Sequence, residues 1–315
     1  MSTPSRIVGL DVARGLAIIG MIIVHMASLL WSTKVIMNGV PSALFAVIAG
    51  TTLMVIGRNY SFDTLLRLIV RGSVVLLLGL ALLPVGGQIQ VVLVVMGMTM
   101  IIVSWVPPLN VWWKMALFAA ASAAATFRYA PYTLPQIYPL LAWIAYFIGG
   151  MLLYEVYVKC FVTGSERRKS TSWVVTGVSL VVVAIGMYFR FQMNVPGWLR
   201  FTGHTGVLGE ILLSVAASAV ILHVCLLVGE KAPKLSFPVA AMGSMSLTVY
   251  MLHVLTAYYW QHNVALHSTL SAGGFVVFFL VVSALWKHFV GQGPVERLVA
   301  TIITTAIPAG RRAHK

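Results

Sequence analysis

Charge is what this sequence has least of. Aspartate, glutamate, lysine and arginine make up 9% of its 315 residues, where an ordinary soluble domain carries about 25%. Acids are the scarcest, seven against 21 basic residues, for a formal net charge of +14. No polar stretch is long enough to build a water-soluble domain. The two cysteines, Cys160 and Cys225, are too few for a disulfide framework. No P-loop and no convincing metal-ligand spacing occurs, so no metal is expected, and no basic-aromatic cluster marks a nucleic-acid surface. The positive excess therefore reads as loops facing anionic headgroups. The first apolar run lacks a small-residue cleavage site and holds polar residues inside it, so it reads as a retained helix.

What the sequence does have is long apolar runs. Hydrophobic residues are 60% of the chain, mean hydropathy is +0.95, and runs of about 20 residues recur from end to end. The expected fold is all-α: one polytopic integral membrane helix bundle over residues 1–315 with about ten transmembrane helices. Their expected ranges are about 10–31, 41–58, 67–85, 89–106, 110–127, 138–158, 171–190, 205–228, 237–258 and 270–290, with a short interfacial C-terminal helix at about 294–308. Placing the N-terminus in the cytoplasm puts all but Lys34, Arg128, Arg190 and Arg200 of the 21 basic residues inside, as the positive-inside rule requires. Both termini are then cytoplasmic.

The few polar groups within the runs gather at two ends. In the first helix Asp11, Arg14, Ile18, Met21 and His25 form one stripe, with Arg14 and His25 roughly 16 Å apart along the axis. Arg14, Arg58, Arg67 and Arg71 form a cationic inner mouth suited to a phosphate-bearing ligand. The outer end receives His25, His204, His253, Glu210 and Tyr250, with Arg128 in an outer loop beside His262 and His267 of another. Ionisable groups inside a membrane are functional candidates, yet each has a plain structural reading. Asp11 and Arg14 can be a simple i,i+3 pair, and a membrane histidine can be an interhelical hydrogen bond. Met96, Met98 and Met100 read as packing, and Gly149–Gly150 as a close helix contact.

Arg14 followed by ten residues and His25 resembles the first-helix motif of membrane acyltransferase family 3. Gly9-Leu-Asp11-Val-Ala-Arg14-Gly15, Pro41 to Gly50, Tyr138 to Trp143, Tyr146 to Met151, Gly203-His204-Thr-Gly206, Met242 to His253 and Gly293 to Leu298 together resemble a related branch of the transmembrane acyltransferase superfamily. That branch is the YeiB-like and heparan-α-glucosaminide N-acetyltransferase-like one. The resemblance implies transfer from a cytoplasmic acyl-CoA (acetyl-CoA or longer) to a hydroxyl or amine of an extracytoplasmic sugar, glycolipid or envelope glycoconjugate. It implies His25 as the catalytic histidine and Arg14 as the donor-side arginine, and finds His204, Glu210 and His253 at family-typical positions without assigning their roles. Beside it, the residues themselves suggest His25 as general base with Glu210 and His204, and Arg58, Arg67 and Arg71 with Arg14 on the donor phosphates. Asp11, Arg128, Tyr250 and His253 would bind or orient the acceptor. The heparan-type enzymes carry asparagine where this chain has His25, and a histidine in the following outer loop, where this chain has Lys34. A homodimer in a bacterial cytoplasmic membrane fits the same resemblance. The alternative is a proton-coupled transporter or lipid flippase using the same histidines.

Overall fold

Helices alone appear among the residues that the computed structural model describes, 6–87, 89–132, 137–163, 166–192, 194–263 and 268–308. Of the expected features, His267, Pro135 and the basic tail from Arg311 lie outside these residues, as do the side chains of His262, Arg167 and Arg168. In chain order the α-helices are α1 (Val8–Met26), α2 (Trp31–Met37), α3 (Val40–Ile56), α4 (Phe62–Leu82), α5 (Leu93–Ile102), α6 (Val111–Tyr129) and α7 (Leu140–Leu153). They continue as α8 (Lys159–Thr163), α9 (Glu166–Arg190), α10 (Leu208–Lys231), α11 (Pro233–Ser244), α12 (Ser246–Asn263), α13 (Thr269–Phe289) and α14 (Pro294–Ala306). A π-helical turn, Tyr154–Val158, joins α7 to α8.

Seven helical segments among the described residues are long and apolar enough to cross a membrane, or eight if α11 and α12 count as one broken span. The chain is a multi-pass integral membrane protein. The difference from the expected ten lies in particular segments. α5 is only ten residues long, and α6, alanine-rich with Lys114 and Arg128 inside it, is not among the seven. The span expected at about 237–258 is bent by 70° between α11 and α12. The bend leaves the first N–H groups of α12 without helical partners. Glu296 of α14 accepts from two of them, Leu247 and Thr248, at 2.7 and 3.1 Å, and from the Thr248 hydroxyl at 2.5 Å.

Burial sorts the spans. The segments containing α3 and α7 are each 72% buried, whereas α13 is 17% buried and presents Val277, Phe278 and Leu285 outward. α3 and α7 are therefore central, and α13 is a lipid-facing wall. Small residues set the central crossings, as expected where hydrocarbon gives helices no hydrophobic reason to associate. A Cβ on Gly150 would fall 1.9 Å from the Val47 carbonyl oxygen, and one on Gly50 2.0 Å from that of Phe147. The Thr51 hydroxyl fastens this α3–α7 contact by donating to Gly150 O at 2.9 Å. A second crossing brings α11 onto α1, where a Cβ on Gly243 would fall 1.8 Å from Asp11 O. Gly150→Val is expected to lower the thermal midpoint in detergent by at least several degrees. Overpacking of this kind costs about 1–3 kcal/mol when neighbours can shift, and here the obstacle is backbone. An unchanged midpoint by fluorescence-monitored unfolding would refute the packing.

Candidate functional site

α1 carries one polar group near each end. At its start Asp11, 4% exposed, accepts from Arg6 Nε at 2.5 Å and from an Arg14 Nη at 2.7 Å. The other Arg14 Nη donates to Thr52 Oγ1 of α3 at 2.6 Å. The guanidinium is thus fixed from two sides, and Asp11 is an orienting partner of Arg14 rather than a group of the histidine end. Arg14 lines a cavity of about 580 Å³ together with Arg6, Arg71, Lys287 and Glu296. Four cations face one carboxylate, and that carboxylate is already bonded to α12. Phe45, Leu53, Val75, Leu93 and Met96 supply an apolar wall. The volume lies within the usual range for a small-molecule site, about 300–1,000 Å³.

The expected cationic mouth divides. Arg14 and Arg71 share this cavity, Arg58 lines a different pocket, and Arg67 donates to Ile307 O at 3.1 Å just beyond α14.

At the other end of α1, His25 meets His253 of α12. Their ring planes lie within 4° and their centroids 5.7 Å apart, with His25 Nδ1 and His253 Nε2 separated by 3.4 Å. His253 is completely buried, and its Nδ1 has no hydrogen-bond partner among the described residues. His204 lies within electrostatic range of His25. Its own pKa is held below the ordinary imidazole value by burial, with Glu210 opposing and Arg190 reinforcing the shift. The Tyr138 ring packs edge-on against His204 at 5.9 Å, and its hydroxyl donates to Gln90 O at 3.0 Å. Tyr138 and His204 are the two non-glycine residues with positive φ, 53° and 63°, among the described residues. That backbone is unusual for any L-residue, and Tyr138 also precedes a proline, which favours extended backbone. Such outliers concentrate at functional sites.

Three further expected participants are held by other contacts. Glu210 Oε2 accepts from the backbone N–H groups of Thr205 and Gly206, both at 2.7 Å, and from the Thr205 hydroxyl at 3.0 Å, while Oε1 accepts from His204 N at 2.8 Å. The carboxylate organises the loop that presents His204. Tyr250 accepts from Val92 N at 3.0 Å, at the start of α5. Arg128 is exposed, donates to the Tyr132 hydroxyl and lies over the Tyr129 and Tyr132 rings, so it is not drawn into the histidine cluster.

The two ends are distinct places. Neither His25 nor His253 lines the arginine cavity, and Ile18, Met21 and Ile22 are buried along α1 between them.

Residues 156–304 match the family described as "Protein of unknown function (DUF418)". The match covers 149 of the 315 residues. No curated protein matches the chain. The matched stretch is consistent with the YeiB-like, acyltransferase-family-3-related branch that the sequence motifs resemble. It contains His204, Glu210, Tyr250, His253 and Glu296, while α1 with Arg14 and His25 precedes it.

Sequence reasoning missed Arg6, Lys287, Thr52 and Glu296 as neighbours of Arg14. The lysine and glutamate follow it by more than 270 residues, and no local pattern announces such a pairing. The Tyr138-Pro139 step was visible, but the positive φ of Tyr138 was not.

Proposed function

We propose that this protein is a membrane acyltransferase, taking an acyl group from a cytoplasmic acyl-CoA-type donor and passing it to a hydroxyl or amine of an extracytoplasmic sugar, glycolipid or envelope glycoconjugate. The observation that supports it best is α1 itself, which joins a braced guanidinium over a cationic cavity to an imidazole paired with a second imidazole. On the basic-residue asymmetry of the expected topology, the arginine end is the cytoplasmic one. There Arg14, Arg71, Arg6 and Lys287 suit the phosphates of a nucleotide-bearing donor, and the wall from Phe45 to Met96 suits the thioester arm. At the histidine end His25 takes the acceptor proton through Nε2 while the acceptor oxygen or nitrogen attacks the thioester carbonyl. The thiolate leaves and is protonated by solvent. This role requires the proton of neutral His25 to sit on Nδ1, which then donates to His253 Nε2. His253 would thereby select the tautomer, as a hydrogen bond to the second ring nitrogen generally does. Reaction also requires the donor cavity to open past Met21 towards His253 when occupied.

Coenzyme A and acetyl-CoA are expected to raise the unfolding midpoint of the purified protein by a few degrees. A ligand at about 100 times its Kd adds about 2.7 kcal/mol. Arg14→Ala and Arg71→Ala are each expected to weaken that shift markedly, and adenine-free solutes should not produce it. Stabilisation that persists unchanged in both variants would remove the donor site from this cavity.

A proton-coupled transporter has one observation in its favour. The broken α11–α12 pair is a feature of transporter substrate sites. Here, however, Leu247 and Thr248 donate to Glu296 and not to an open site, which favours the enzyme.

A further inference from the structure

A second polar pocket, of about 590 Å³, lies across α3 from the arginine cavity. Thr52, Leu53 and Ile56 face the first, while Met54, Gly57 and Arg58 face the second. The second pocket is completed by Tyr60, the Pro107-Pro108-Leu109-Asn110 turn, Lys114 and the Glu155–Lys159 stretch. Among its described lining residues, Arg58, Lys114 and Lys159 are cations and Glu155 is the carboxylate. Glu155 accepts from Lys114 Nζ at 3.1 Å and from Lys159 Nζ at 3.0 Å. Arg58 is a third cation, and no ion pair or side-chain hydrogen bond engages its guanidinium among the described residues. Lys114 is 1% exposed, so its charge sits within the pocket wall rather than in solvent. The start of α6 adds further N–H groups, of which Asn110 Oδ1 takes that of Trp113.

The depth of the pocket points to what fills it. Trp105, Trp112 and Trp113, on the turn and the first residues of α6 beside the lining residues, are 49%, 73% and 62% exposed. Exposed tryptophans on a membrane protein mark the headgroup level, where an amphipathic ring has one side in hydrocarbon and one in water. Cations, an unpaired guanidinium and apolar walls from Met54, Pro107, Leu109 and Tyr154 thus meet at that level. We propose that this pocket holds an anionic phospholipid, its phosphodiester between Arg58, Lys159 and the start of α6 and its glycerol end against the apolar walls. Arg58 is then a lipid ligand, separate from the donor cavity.

The test is native mass spectrometry of the full-length protein released from nanodiscs of equal phosphatidylglycerol and phosphatidylcholine. Retained phosphatidylglycerol should exceed retained phosphatidylcholine. Arg58→Ala should reduce that retention about five-fold, the scale of one basic contact with an anionic headgroup. Arg58→Lys should restore most of it, while Arg67→Ala, whose guanidinium binds Ile307 O, should leave it unchanged. Equal retention of the two lipids, or an unchanged Arg58→Ala variant, overturns the proposal. So does displacement of the lipid by millimolar glycerol 3-phosphate or inorganic phosphate, which would assign the pocket to a soluble anion. Because coenzyme A stabilisation is read separately, either site can fail without the other.

Discussion

His25→Ala is expected to reduce acyl transfer by about 10²–10⁴-fold, the usual contribution of a positioned general base, with the fold retained. The side chain lies at the end of α1, only part-buried, and its one side-chain hydrogen-bond contact among the described residues is the 3.4 Å approach to His253. Removing it breaks no ion pair and exposes no helix terminus. Ser268 N still donates to Met26 O at 2.8 Å, so the junction of α1 with α13 survives. Radiolabelled acetyl-CoA turnover with a sugar acceptor in proteoliposomes would read the loss, and detergent unfolding would confirm the fold. His253→Ala should cost less in kcat, because it removes the group that selects the His25 tautomer and not the base itself. The same change leaves a cavity in a fully buried position and so lowers the melting midpoint. His253→Asn, which keeps a polar partner, should recover part of the rate. Full activity in His25→Ala would end the assignment of His25 as base.

Glu210→Ala is expected to destabilise the protein more than any other substitution at the histidine end. The carboxylate accepts from three consecutive backbone N–H groups and one hydroxyl at 2.7–3.0 Å, and is 4% exposed. Its removal leaves buried donors unpaired, at about 1–3 kcal/mol each, and frees the loop whose positive φ at His204 and Gly206 depends on that clasp. Glu210→Gln keeps the shape but replaces one acceptor oxygen by a donor, so it should fall between alanine and wild type. Activity in both variants should track the folded fraction. A well-folded Glu210→Gln protein with turnover lowered a hundred-fold or more would instead show that the carboxylate takes part in the chemistry.

Much of the architecture was legible in the sequence because hydropathy adds up locally. Long apolar runs located most of the helices, but α5 ends at Ile102, five residues before the Pro107-Pro108 pair expected to stop it. Periodicity also placed Arg14 and His25 towards opposite ends of α1. The sequence was less informative where an apolar run did not remain one straight helix. The stretch through Met245 is hydrophobic on both sides of its 70° bend, and the group that stabilises the new terminus, Glu296, lies 48 residues beyond Thr248.

The site divides in the same way. Composition alone determined that this is a membrane protein, because hydropathy is a sum over neighbouring residues, and helical spacing set Arg14 and His25 apart along α1. Tertiary structure decided which of those groups meet. It joined His25 to His253 across 228 positions and Arg14 to Thr52, placed Arg58 at a different pocket, and set the Glu210 carboxylate against the backbone of the His204 loop. Hydrogen bonds act only within about 3 Å, and which partners come that close is set by helix crossings such as Gly150 on Val47 and Gly243 on Asp11, not by spacing along the chain.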